Sequence, residues 1–388
     1  MSMKVLYSKS ISCYASDTAG VCSALFELGG MTIVHDASGC NSTYATHDEP
    51  RWFGSNSMTY ISALTENDVV LGNDRKLIED TVRAAKELHP EFIALCNSPI
   101  PLMVGCDMQA IAAAVESELD IPCFAVPANG MKHYWQGAAM AWKMLAERIL
   151  PPETGNKVER GINVLGATPL DFSLNGNVEA IVDFLRQREF AVQSVWAMDN
   201  TLENLKKAVN AQLNLVISNS GLPLAEYMLE KYSIPFVCGV PLGIKGSAAL
   251  AEKLEETLVS KENSFWCAER RYDSSAECVI AGEAVFAGSL AQTLQLEKNL
   301  SCCVADPLSG NRQLLSSGDV QLAGEKELKN FFAGKSTVIA DNMYNPIISC
   351  GSIVMNIPHE AFSGRCYHKA RLNLVNRQID WEKYLCRK

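Results

Sequence analysis

Three stretches decide the fold: FIALCNSPIPL (92–102), LNLVISNSGLPL (213–224) and STVIADNMYNPI (336–347). Each reads as a continuously apolar strand, a polar turn carrying an asparagine, then proline and the start of a helix. The turn residues Asn97, Asn219 and Asn342 lie 122 and 123 residues apart. The first two copies continue into a helix and an Ile-Pro strand entry, at Ile121 and Ile234, and the third reaches its own at Ile357 by a shorter route. Strands that are apolar throughout belong to parallel sheets covered by helices on both faces. A repeat of this length therefore predicts three copies of a small parallel α/β unit. The Pro-, Gly- and charge-rich segment LPPETGNKVERG (150–161) is the best linker, and a softer boundary falls within 262–278. The expected domains are 1–155, 156–270 and 271–370, with a polar tail, 371–388, returning to the first.

Composition narrows the function. The chain has 388 residues, 48% apolar and 20% charged, which is globular and large enough for several domains. Its formal net charge of −10 argues against a surface built to neutralise phosphates, so no nucleic-acid partner is expected. No apolar run approaches the length of a membrane span and the first residues lack a signal-peptide core, so the expectation is a cytoplasmic protein without a membrane partner. No GxGxxG or P-loop follows any expected strand, which leaves nucleotide binding by a glycine loop without support.

The 14 cysteines include no CxxC pair and no zinc-finger spacing. Cys123, Cys238, Cys302 and Cys303 sit inside apolar, strand-like runs and read as core thiols. Two others differ. Cys13 lies in ISCYASDTAGV (11–21), just before a helix start near Asp17, and Cys40 ends the turn HDASGC (35–40). Thiols in small-residue turns near helix N-termini are candidates for thiolates, and two such turns at one sheet edge suit an iron–sulfur cluster. Two chance loop cysteines would give the same spacing.

The run HDASGCNSTY (35–44) followed by LTENDVVLGNDRKL (64–77) resembles the P-cluster-binding region of the nitrogenase component 1 family. That family carries a His-Gly-Pro-x-Gly-Cys turn and then Thr-Glu-x-Asp, two apolar residues and Gly-Gly. The resemblance continues through GINVLGATPLDF (161–172), AVNAQLNLVISNSGLPLAEYMLEKYSIPF (208–236) and VCGVPLGI (237–244). It implies an α/β fold of three Rossmann-like domains with parallel sheets around a central cavity. Cys13 and Cys40 match the first two family cluster ligands. Cys96 stands two or three positions early for the third, so either its turn is reshaped or the chain supplies only two thiolates. The implied cofactor is a [4Fe-4S] cluster or a larger P-cluster-like one, at an interface with a second subunit or a copy of itself. The implied electron donor is an ATP-hydrolysing iron protein, and the implied function is electron relay to a small-molecule substrate in the cavity.

One departure limits the analogy. Where the catalytic nitrogenase subunit has the cysteine that anchors its iron–molybdenum cofactor, this chain has Ser218, a poor ligand for soft iron. The family's histidine anchor falls within about one position of His359. Dinitrogen reduction on that cofactor is therefore not expected. The segment THDEPRWFG (46–54) is expected to line the cavity, with Arg51 as anion clamp and His47 as proton donor beside His359; a solvated loop with one buried Trp fits the same residues. His133 and Tyr134, at another carboxyl-end loop, read as structural. A metallocofactor-assembly scaffold and a cluster-free ligand-binding protein are the alternatives to a reductase.

Overall fold

A computed structural model describes residues 8–37, 39, 49–52, 54–55, 57–152, 156–270 and 276–385. Among these, thirteen strands form three entirely parallel sheets. The first holds β1 (Met31–His35), β2 (Met58–Ile61), β3 (Ile93–Asn97) and β4 (Cys123–Val126) in the order β2-β1-β3-β4. The second holds β5 (Gly161–Leu165), β6 (Ala191–Trp196), β7 (Leu213–Val216) and β8 (Phe236–Cys238) in the order β6-β5-β7-β8. The third holds β9 (Cys278–Ala281), β10 (Cys302–Asp306), β11 (Val320–Gln321), β12 (Thr337–Ala340) and β13 (Ile353–Asn356) in the order β11-β10-β9-β12-β13.

The repeat is visible in this order. The strands preceding the three asparagines, β3, β7 and β12, hold the same place in each sheet, between its first and last strands of the repeat. Their four-residue cores are fully buried, as continuous apolar runs require. The strand order reverses beside each of them, between β1 and β3, β5 and β7, and β9 and β12, so each carboxyl end opens on the crevice where α/β folds bind ligands.

Local chemistry sets the helix starts. Ser16 and Asp107 accept from the backbone of Ala19 and Ala110, Thr65 and Asp68 form a reciprocal cap, and Glu283 accepts from Val285 and Phe286. The helix Asp17–Leu25 lies against Tyr134–Ile149 so closely that a Cβ on Gly20 would stand 1.9 Å from the Tyr134 carbonyl oxygen. One on Gly137 would stand 1.8 Å from that of Asp17. Only glycine permits this approach of two backbones.

The tail takes a different course from the one expected. Its described part, 371–385, hydrogen-bonds to the second and third units instead of returning to the first. Gly243 donates to the Leu374 carbonyl, Asn376 to that of Pro241, and the Trp381 indole to Glu297. The cause is apolar: Leu374, Val375 and Trp381 are buried, with Val375 bridged to Leu242. Among the described residues no helix is long and apolar enough to cross a membrane.

Candidate functional site

Two places on the carboxyl side of the sheets carry the sequence-predicted residues. The first is the edge of the first sheet, around Cys13. The chain before the helix Asp17–Leu25 is strapped to the third unit. Backbone N–H groups of Lys9, Ser10 and Ile11 converge on one oxygen of Glu325, at 2.7, 2.8 and 3.2 Å. Ala15 donates to the Ala361 carbonyl and the Tyr14 and Tyr344 hydroxyls pair at 2.9 Å. On the other side Ser16 bridges His133, and Asp17 caps the Asn129 and Gly130 amides at 3.1 and 2.7 Å. Cys13 is left as an exposed thiol on a fixed segment. Other apolar side chains of the first unit are exposed: Met131, next to the capped Gly130, and Leu102, Met103 and Val104 at the end of the short helix Pro99–Met103 after β3.

Cys96 ends up elsewhere. It is fully buried in β3, in the core cluster that also holds Cys22 of the helix Asp17–Leu25. Burial first, then the neighbouring Cys22 and Asp17, pushes its thiol well above the ordinary range. Such a thiol behaves as a small hydrophobe and does not reach the surface that Cys13 occupies. Cys40 and His47 lie outside the described residues. Among the described residues no group of three or more His, Cys, Asp or Glu is arranged to hold a metal ion.

Arg51, expected in the cavity as an anion clamp, is instead an internal brace. It is 3% exposed and grips Glu49 through two nitrogens, at 2.7 and 3.0 Å. Its remaining donors go to Glu27 at 3.2 Å and to the carbonyls of Ser23 and Ala197. Glu27 in turn accepts from the Asp199 amide at 2.8 Å, so the pair ties the first unit to the second. A guanidinium saturated in this way has no fork to offer a ligand.

The second place is the junction of all three units. Asp171, at the end of the short helix Pro169–Phe172, accepts from the hydroxyl of Tyr134 and from Thr168. Tyr134 was read as structural, and its role is to hold this carboxylate. His359 stands 3.5 Å from Asp171, stacked on Phe362 with ring centroids 4.4 Å apart. Glu360 accepts from Ser173 at 2.6 Å, and Glu283 from the Asn219 amide at 2.8 Å, each joining the second unit to the third. Arg371, from the tail, completes the group. Burial, then the charge of Asp171, pushes the Glu283 carboxyl up to about 8, while burial lowers the Arg371 guanidinium. Ser218 is fully buried and donates to the Gly166 carbonyl at 2.9 Å, so its hydroxyl proton is already committed. Sequence reading missed Asp171, Glu283 and Arg371; the Thr-x-x-Asp cap at 168–171 was the one local signal available.

The comparisons agree with this architecture. The family model described as "Nitrogenase component 1 type Oxidoreductase" matches residues 16–288. The nitrogenase molybdenum-iron protein alpha chain of Methanosarcina barkeri is 24% identical over 236 residues, 58% of this chain and 43% of that one. The nitrogenase iron-molybdenum cofactor biosynthesis protein NifE of Clostridium pasteurianum is 27% identical over 236 residues, 59% of this chain and 50% of that one. The chain thus matches half or less of the length of these curated relatives. A solved structure, "Nitrogenase Cp1 at pH 5", superposes with a TM-score of 0.64 at 17% identity, covering 91% of this chain and 86% of that one, and shows the common fold. The parallel three-unit fold and the family match over residues 16–288 together establish that the chain belongs to the nitrogenase component 1 type oxidoreductases.

Proposed function

We infer that this chain is an electron-relaying subunit of a nitrogenase-like reductase, with an iron–sulfur cluster held by Cys13 and Cys40 and completed by a second subunit or another copy of the chain. The observation that carries this reading is the exposed Cys13 thiol on a segment held by backbone hydrogen bonds to Glu325 and Ala361; Met131 and Met103 on the first unit are exposed as well. Apolar surface of this kind marks an interface, and a thiolate there can be shared across it. The burial of Cys96 favours two thiolates per chain over three. When bound, the cluster supplies single-electron transfer; the protein supplies its position and potential. An ATP-hydrolysing iron protein is the electron donor, and the junction around Asp171 and His359 receives a small-molecule substrate in the cytoplasm. The committed Ser218 hydroxyl supports the exclusion of an iron–molybdenum cofactor anchored as in nitrogenase.

The assembly-scaffold reading has its own support, since a NifE protein stands among the relatives at 27% identity. Both readings require a cluster. Anaerobic purification with iron and sulfide assay tests it: a brown, iron-containing oligomer is expected, and a colourless, iron-free protein overturns both. Reoxidation of the reduced cluster by a substrate extract marks the reductase, whereas transfer of the cluster to an acceptor protein marks the scaffold.

A further inference from the structure

Two cysteines meet at the amino ends of the third sheet. Cys278 opens β9 and Cys302 opens β10, and the ladder sets them directly opposite each other, with Cys303 opposite Val279. Registered neighbours point to the same face of a sheet, and successive residues alternate. Cys278 is 1% exposed within the large core cluster, and Cys302 packs against that cluster from a partly exposed position. Cys303 packs against a different cluster and donates to the Gly318 carbonyl at 2.9 Å. The Cys302 thiol hydrogen-bonds with that of Cys278 and reaches the Leu300 carbonyl only at 3.9 Å.

Neighbouring strands lie about 4.7–4.9 Å apart, inside the range of about 4.4–6.8 Å that the Cα atoms of a disulfide span. Other thiols are also neighbours in the core. Cys22 beside Cys96, and Cys238 beside Cys267, are each 1% exposed or less, so an oxidant reaches neither pair. Cys278 and Cys302 differ in offering one sulfur to solvent and one behind it.

We propose that Cys278 and Cys302 form a reversible disulfide, with a low-molecular-weight disulfide such as oxidised glutathione as the oxidant. The Cys302 thiolate attacks one glutathione sulfur, breaking that S–S bond and releasing one glutathione thiolate. The Cys278 thiolate then attacks the Cys302 sulfur and displaces the second. The two protons lost by the cysteines pass to the two glutathione thiolates, so two protein thiols are oxidised and one glutathione disulfide is reduced. The hydrogen bond to Cys278, then burial, pushes the Cys302 thiol well above its ordinary range, so the first attack is slow. In reducing compartments such bridges are transient and sense redox state. This one closes the loop that carries the helix Ala284–Lys298, at the end of β9 opposite Glu283.

The test is incubation of the anaerobically purified full chain with excess oxidised glutathione for hours, quenching in acid, alkylation of the remaining thiols and non-reducing peptide mass mapping. A cross-linked pair of peptides containing Cys278 and Cys302 is expected, and dithiothreitol should abolish it. Cys278→Ala should leave glutathione trapped on Cys302. Cys302→Ala should leave Cys278 free for alkylation, and serves as the test should Cys278→Ala fail to fold. Glutathione retained on Cys302 of the wild type, both thiols still free, or a bridge from Cys278 to Cys303 instead overturns the proposal.

Discussion

The first-sheet edge and the three-unit junction both lie at carboxyl ends of parallel strands, yet they solve opposite problems. At the edge, Cys13 faces solvent on a segment whose backbone is tied down by hydrogen bonds to Glu325 and Ala361. At the junction, charged groups of the second and third units and the tail are withdrawn from solvent, and the acids are held by hydroxyls, including that of Tyr134, and by backbone amides. An exposed thiol on a fixed frame is open to outside atoms. A buried set of acids, one histidine and one arginine is a site whose frame depends on the hydroxyls and amides that hold its charges. Changes at the edge should therefore remove function and spare stability, and changes among the buried charges should do the reverse.

The largest expected effect is at the edge. Cys13→Ser should lower the iron content of anaerobically purified protein about tenfold or more while leaving the chemical denaturation midpoint unchanged. Cys96→Ala should keep its iron; loss of iron in that variant breaks the contrast. Next, Arg51→Ala leaves Glu49 buried and unpaired, which should cost about 3–5 kcal/mol in denaturant unfolding. A smaller cost would mean that Arg51 is free to serve a ligand. Gly20→Ala drives a methyl group against the Tyr134 carbonyl and should cost about 1–3 kcal/mol, since neither backbone can retreat alone. The subtlest test uses pH. Glu283 titrates near 8 in the fold, against 4.5 for an ordinary glutamate. The folded state binds the extra proton between these values, so stability should fall as pH rises from about 5 to 8. Glu283→Gln should flatten that slope; an unchanged slope would place the titration elsewhere.

How far the sequence could be read follows from the range of each interaction. The three units were legible because a buried parallel strand must be apolar throughout, and because Asn97, Asn219 and Asn342 recur at or just after the carboxyl end of equivalent strands. The Cys13 turn was legible from small residues before a helix start. Arg51 was misplaced because a guanidinium looks the same in sequence whether it faces a ligand or Glu27, 24 residues earlier. The tail was misplaced because its composition is polar overall, while its position depends on Leu374, Val375 and Trp381. Arg371 reached the junction through that same tail, so no local pattern could announce it.

The strap that fixes Cys13 also sets a schedule for the protein's synthesis. Its partners, Glu325, Met343, Tyr344 and Ala361, leave the ribosome more than 300 residues after the thiol does. Domains fold largely in order of emergence, so the first sheet can form early while the segment in front of it stays unanchored. Closing a contact over such a span is entropically costly and comes late. The thiol, made more than 300 residues before the partners of its strap, is thus among the last groups to reach its final position.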